Sequence, residues 1–117
     1  MKTQLEISRT EAAPGVVLIT LAGRLMLGLE SAQLETLAVD LFGAGTRKII
    51  IDFGGVTHID STGIGRCIAC LNKAMQVKGQ LHMAGAKGQV RESFRVTRLD
   101  RMFKFFETLE EAKGAFK

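Results

Sequence analysis

The stretch "VTHIDSTGIGRCIACL", residues 56–71, decides the reading of this chain. Its second half is an amphipathic helix: Ile64, Cys67, Ile68, Leu71 and Met75 recur at helical spacing until Gly79 ends the run. Just upstream, "KIIIDF", residues 48–53, is a continuous apolar run, as expected of a central strand covered on both faces. The junction therefore reads as a strand, a short turn and a helix whose N-cap is Ser61 or Asp60. Both residue types suit that position, because their side-chain oxygens accept the orphan amide hydrogens of a first helical turn.

The same junction excludes several chemistries by spacing alone. A hydrolase nucleophile elbow needs glycine two residues before the serine, where this chain has Ile59. "DSTG" holds one residue too many for an aspartic-protease triplet. A phosphate-cradling loop ends in Gly-Lys-Ser/Thr, and "GIGR" offers an arginine in that place. Gly63 and Gly65 lie inside the first turns, where each costs roughly 1 kcal/mol relative to alanine unless something needs the missing side chain. They leave a flat approach to the Ser61 hydroxyl, at a helix N-terminus that tolerates negative charge.

Working outward, "QLEISR" alternates as a strand with one wet face, and "AAPG" is a turn. "VVLITLAG", residues 16–23, is a more buried strand paired with the first as a hairpin, and "RLML" continues as a short strand or loop. Leu34, Leu37, Ala38 and Leu41 mark a helix stopped by Gly43 and Gly45. Beyond Gly79 come a strand at "QLHMAGA", a helix from Gln89 to about Leu99, a strand at "MFKFFET" and a closing helix marked by Leu109, Ala112 and Phe116. The expected architecture is α/β, a mixed sheet with four or so helices packed on it.

The 117 residues, 46% hydrophobic and 24% charged, suit one domain spanning residues 1–117. No window approaches a membrane span and "MKTQLEISRT" lacks the apolar core of a signal peptide, so the expected location is the cytoplasm. A net charge of +4 favours acidic partners, but without Trp, Tyr or a dense basic run the equipment of a nucleic-acid binder is thin. Cys67 and Cys70 have no second Cys or His pair to complete a metal site and fall in the apolar stripe region; core packing explains them. His58 and His82 read as structural histidines. Arg91, Arg95 and Arg98 read as a solvated helix face, with an acidic partner or a salt-sensitive nucleic-acid contact as alternatives. No cofactor or metal is expected.

"IDFGGVTHIDSTGIG" resembles the signature of the STAS family, the anti-sigma factor antagonists, in which an apolar strand leads to Asp-Ser-Ser/Thr-Gly at a helix start. The resemblance extends along essentially the whole chain and includes "AGRL" before the first long helix. It implies a STAS fold and a phosphorylation-switched binding protein, not an enzyme. Ser61 would be phosphorylated by a serine kinase that is also the anti-sigma factor, and a phosphatase would reset it. The unphosphorylated form would bind that kinase and release a sigma factor. Asp60, Ser61, Thr62, Gly63 and Gly65 would form the docking turn. Family antagonists often carry an acidic Gly-Glu-Leu-Asp pattern on the partner-facing segment before the first helix; here "GRLM", residues 23–26, puts Arg24 and Met26 in place of both acids. A STAS scaffold or transporter-associated subunit making a constitutive protein contact is the alternative, followed by a small-ligand or nucleotide-binding module.

Overall fold

The structure, a computed structural model, describes residues 4–117; residues 1–3, the start of the expected domain and of the expected leaderless N-terminus, lie outside the described residues. Five strands form one sheet in the order β1-β2-β3-β4-β5. β1 (Leu5–Ala13) and β2 (Val16–Leu25) are the expected antiparallel hairpin, turning at Pro14 and Gly15. β2 then pairs in parallel with β3 (Lys48–Ile59), β3 with β4 (Gln80–Ala84) and β4 with β5 (Lys104–Phe106). The crossovers are α1 (Leu29–Gly43), α2 (Ser61–Gln76) and α3 (Gly88–Val96), and α4 (Leu109–Gly114) closes the chain.

Each parallel step advances one strand in the same direction, so right-handed crossovers place α1, α2 and α3 on one face. The larger core lies there: Ile49, Ile51 and Phe53 of β3 pack with Leu34, Ala38 and Phe42 of α1, Cys67, Cys70 and Ala74 of α2, and Val90 and Phe94 of α3. Alternation turns Ile50 the other way, into a small cluster with Val16, Ala84 and Ala112 under α4. That two-sided burial accounts for the unbroken isoleucines of "KIIIDF".

Several boundaries move. β2 takes in Leu25, so the first half of "RLML" is strand. α1 begins five residues before the apolar spacing announced it. β3 runs to Ile59 rather than stopping near Phe53, because β2 pairs with it along that whole length, from Val16↔Lys48 to Leu25↔Ile59. Only Asp60 separates strand from helix. "MFKFFET" keeps three strand residues, since β4 offers only His82, Met83 and Ala84 as partners.

Met75 leaves the apolar stripe expected for α2. It is 65% exposed, and the buried line instead runs through Ile64, Cys67, Cys70 and Ala74, with Ile68 and Leu71 half-buried at its margin. Nor do the three arginines form one solvated face. Arg91 is half-buried with its guanidinium 4.2 Å from the Phe105 ring centroid, Arg95 Nε donates to Glu92 at 2.8 Å, and Arg98 lies past the end of α3 in a left-handed conformation. His82 is fully buried on the α4 side, stacked on Phe116 with ring centroids 3.9 Å apart and with Nδ1 2.8 Å from the Ala112 carbonyl.

Candidate functional site

The site is the place where β2 and β3 end side by side and α2 begins. Asp60, not Ser61, is the N-cap: its Oδ1 accepts from the Gly63 amide at 2.8 Å. Its other oxygen, Oδ2, accepts from the Leu27 amide at 3.0 Å, 33 residues away in sequence. One carboxylate thus pins the loop between β2 and α1 to the start of α2. With capping done by its neighbour, Ser61 occupies the first helical position, exposed, with its hydroxyl not required by the cap.

Thr62 is half-buried and Gly63 is buried. The reason for Gly63 is internal: a Cβ there would stand 2.1 Å from the Leu25 carbonyl oxygen and 2.8 Å from Ile59 Cγ1. It lets α2 descend onto the end of β2, which corrects the expectation that this glycine serves the approach to Ser61. Gly65 differs. It is exposed and a Cβ there would meet nothing within 4 Å, so the surface over the first turn is open at that position.

Arg24 and Met26 both lie at this end of the molecule. Arg24, exposed at the end of β2, sits in register with His58 of β3, and its amide donates to the Gln4 carbonyl at 2.8 Å. That close return of β1 is possible because Gly23, at φ +111°, has no Cβ; one would stand 2.4 Å from the same Gln4 oxygen. Met26 is half-buried in the following loop. His58 is exposed, with Nδ1 2.9 Å from Thr57 Oγ1, and Thr57 Oγ1 donates to the Gly23 carbonyl at 3.2 Å.

Three features escaped the sequence reading. Leu27 and Leu29, 72% and 73% exposed, flank Gly28 in the pinned loop; their signal was the aliphatic run "RLMLGLE", which resembles core sequence. Gln89 opens α3 and places its amide beside the free edge of β3 beyond the reach of β4. Ile59 N donates to its Oε1 at 3.0 Å and its Nε2 donates to Ile59 O at 3.1 Å, as a neighbouring strand would. Arg66 joins Glu35 of α1 at 3.2 Å, tying the two helices together behind the site.

A surface hollow of about 560 Å3 lies at the other end of the sheet among Arg9, Glu11, Arg47 and Lys48. Among the described residues no three His, Cys, Asp or Glu side chains are gathered as metal ligands. The thiols do not belong to the site. Burial raises Cys67 well above the usual thiol range and pushes Cys70 up to about 12, so neither is a thiolate near neutrality. What this arrangement offers is an exposed serine at a helix N-terminus, next in sequence to the capping Asp60, which also ties in the loop that carries Leu27.

The sequence model of the STAS domain matches residues 8–112. BtrV of Bordetella bronchiseptica, assigned as an anti-sigma factor antagonist, is 29% identical over 92 residues, covering 76% of this chain and 79% of BtrV. The crystal structure of a Thermotoga maritima protein with the same assignment superposes with a TM-score of 0.82 at 24% identity over 92% of both chains. The phosphorylated form of the Bacillus cell fate determinant SpoIIAA superposes with a TM-score of 0.72 at 21% identity, covering 93% of this chain and 97% of that one.

Proposed function

The chain belongs to the STAS domain family, and from that premise we propose that it is an anti-sigma factor antagonist switched by phosphorylation of Ser61. In this reading it is a substrate and a binder, not a catalyst. Unphosphorylated, it docks on a serine kinase that is also the anti-sigma factor and frees a sigma factor; a phosphatase restores that form. The observation that carries the reading is the division of labour at the head of α2. Asp60 satisfies the first turn and leaves the Ser61 hydroxyl exposed, whereas Thr62 beside it is half-buried. A kinase reaches the first more easily than the second. The names of BtrV and of SpoIIAA in its phosphorylated form support the same direction.

The physics gives the switch its sign. A phosphate adds about −1.5 to −2 charge at neutral pH. At position 61 it meets a helix N-terminus, whose free amides and dipole favour an anion, so the domain stays folded. The cost falls on the complex, where the phosphate would be buried close to the Asp60 carboxylate. Reversing a complex from 99:1 bound to 1:99 takes about 5.5 kcal/mol of differential binding. A desolvated, poorly paired phosphate is of the right size to supply much of it.

The test is phosphoryl transfer from labelled ATP in a lysate of the native host, with the wild-type chain and Ser61→Ala side by side. Label on the wild type alone is the expected result. Label on neither would overturn the switch and leave a constitutive protein contact as the better account. In binding assays with the labelling kinase, Ser61→Ala should bind without regulation, and Ser61→Asp should fold but lose affinity.

A further inference from the structure

The loop that Asp60 pins presents more than its backbone. Leu27 and Leu29 are the two most exposed large apolar side chains among the described residues, and they lie one residue apart. Scattered exposed leucines are ordinary on a protein surface; two on one short segment beside a modifiable hydroxyl form a patch. The segment is also held. Asp60 Oδ2 accepts from Leu27 N at 3.0 Å, and Ser31 Oγ donates to the Gly28 carbonyl at 3.0 Å. A loop ordered before binding loses less entropy on binding.

Arg24 lies near the end of β2, three residues before Leu27 in the chain. Leu25 and Ile59, paired in register, are buried toward the helices, so by alternation Arg24 and its cross-strand neighbour His58 stand on the opposite face of the sheet. The cluster under α4 gathers Val16, Ile50 and Ala84, which leaves this end of the face uncovered. Among the described residues the ion pairs are Arg66–Glu35, Arg95–Glu92 and Lys113–Glu110, and Arg24 is in none of them. The carboxylates near the loop are already engaged: Asp60 with Gly63 and Leu27, and Glu30 with the Gln4 amide at 3.4 Å.

We infer that this surface takes a partner whose contact face is an apolar socket bordered by carboxylates, with Leu27 and Leu29 entering the socket and Arg24 meeting the acids. The inference rests on the proposed function and specifies the chemistry of the partner. It also gives the switch a cause on the partner's side. An acidic face attracts Arg24 while Ser61 is neutral and repels the dianion once Ser61 is phosphorylated.

The experiment uses each serine-kinase-type anti-sigma factor of the host, purified singly and titrated with the full chain at roughly 50 and 300 mM salt, a range over which surface charges become screened. The variants are Arg24→Glu, Leu27→Ala with Leu29→Ala, and Arg101→Glu. Arg101 is exposed on the 3-10 turn Leu99–Arg101, and its substitution changes net charge as much as that of Arg24. For a kinase that binds the wild-type chain, Arg24→Glu should weaken binding about tenfold or more at low salt and less at high salt. The leucine pair should cost about tenfold at both salts, and Arg101→Glu should leave affinity near wild type. Undiminished binding by Arg24→Glu, or an equal loss with Arg101→Glu, would overturn the acidic face; undiminished binding by the leucine variant would overturn the socket. If no such kinase binds even the wild-type chain, the proposed function falls and takes this inference with it, an outcome distinct from both.

Discussion

Gly63→Ala probes the contact that seats α2 on the sheet. The added Cβ would stand 2.1 Å from the Leu25 carbonyl oxygen and 3.0 Å from its carbon, with Ile59 Cγ1 at 2.8 Å. The first of these is nearly an ångström inside the 3.0 Å below which real Cβ contacts essentially do not fall, and its partner is backbone, which cannot rotate aside. The head of α2 must therefore lift from the end of β2. Lifting strains the Asp60 bonds to Gly63 and Leu27 as well. Overpacking of this kind costs about 1–3 kcal/mol, and a weakened cap adds about 1 kcal/mol. Removing a glycine from a helix returns about 1 kcal/mol. The net expectation is a loss of about 1–3 kcal/mol. Gly65→Ala is the internal control: two residues along the same helix, a Cβ meets nothing within 4 Å, so only the helical gain of up to about 1 kcal/mol applies. Urea unfolding followed by circular dichroism should separate the two variants by about 1–4 kcal/mol in midpoint-derived stability, at an unchanged m-value. Equal stabilities would refute the claim that Gly63 is dictated by the close approach of β2.

Two further expectations concern the groups that hold the site and the far face together. Asp60→Ala removes a helix cap and the side-chain tie from the head of α2 to Leu27, and should cost about 2 kcal/mol. Amide hydrogen exchange at Leu27 and Gly63 should accelerate beyond what that global loss explains, and unchanged exchange at Leu27 would contradict the pin. His82 has its pKa lowered by burial, partly offset by its bond to the Ala112 carbonyl and reinforced by the Lys104 charge. The unfolded chain therefore takes up this proton at a higher pH than the folded one. The His82 contribution is complete above the unfolded value of about 6.5 and is lost as pH falls toward the lowered folded value. Urea midpoints between pH 7.5 and 5 should fall for the wild type and flatten for His82→Phe; parallel slopes would remove His82 as the cause.

Much of the fold was readable because its signals are local. "KIIIDF" announces a doubly covered strand by composition, and Ile50 does face α4 while Ile49 and Ile51 face the other helices. The turn at Pro14–Gly15 comes from a backbone preference that needs no tertiary context, with Gly15 at φ +77°, whereas Gly79 is required by packing, since a Cβ there would stand 2.9 Å from the Phe42 ring. Boundaries were less readable where a partner decides them. β3 continues to Ile59 through Thr57 and His58, residues with no apolar signal, because β2 is there to pair with it. The arginines of α3 show the same limit, since Phe105 and Glu92 decide which of them face water.

At the site the division is sharper. The sequence by itself determined that an Asp-Ser-Thr-Gly junction starts a helix after a buried strand, because capping chemistry is a property of a few adjacent residues. It could not choose between Asp60 and Ser61 as the cap. That choice was made by Leu27, whose amide, 33 residues earlier in the chain, gives the second oxygen of Asp60 a partner and leaves the Ser61 hydroxyl unused by the cap. Tertiary structure alone also decided that Gly63 is needed by Leu25, that Gln89 closes the edge of β3 and that Leu27 and Leu29 lie on the surface. These are contacts between distant segments, whose residue types carry the same local signal whether or not the chain brings them together.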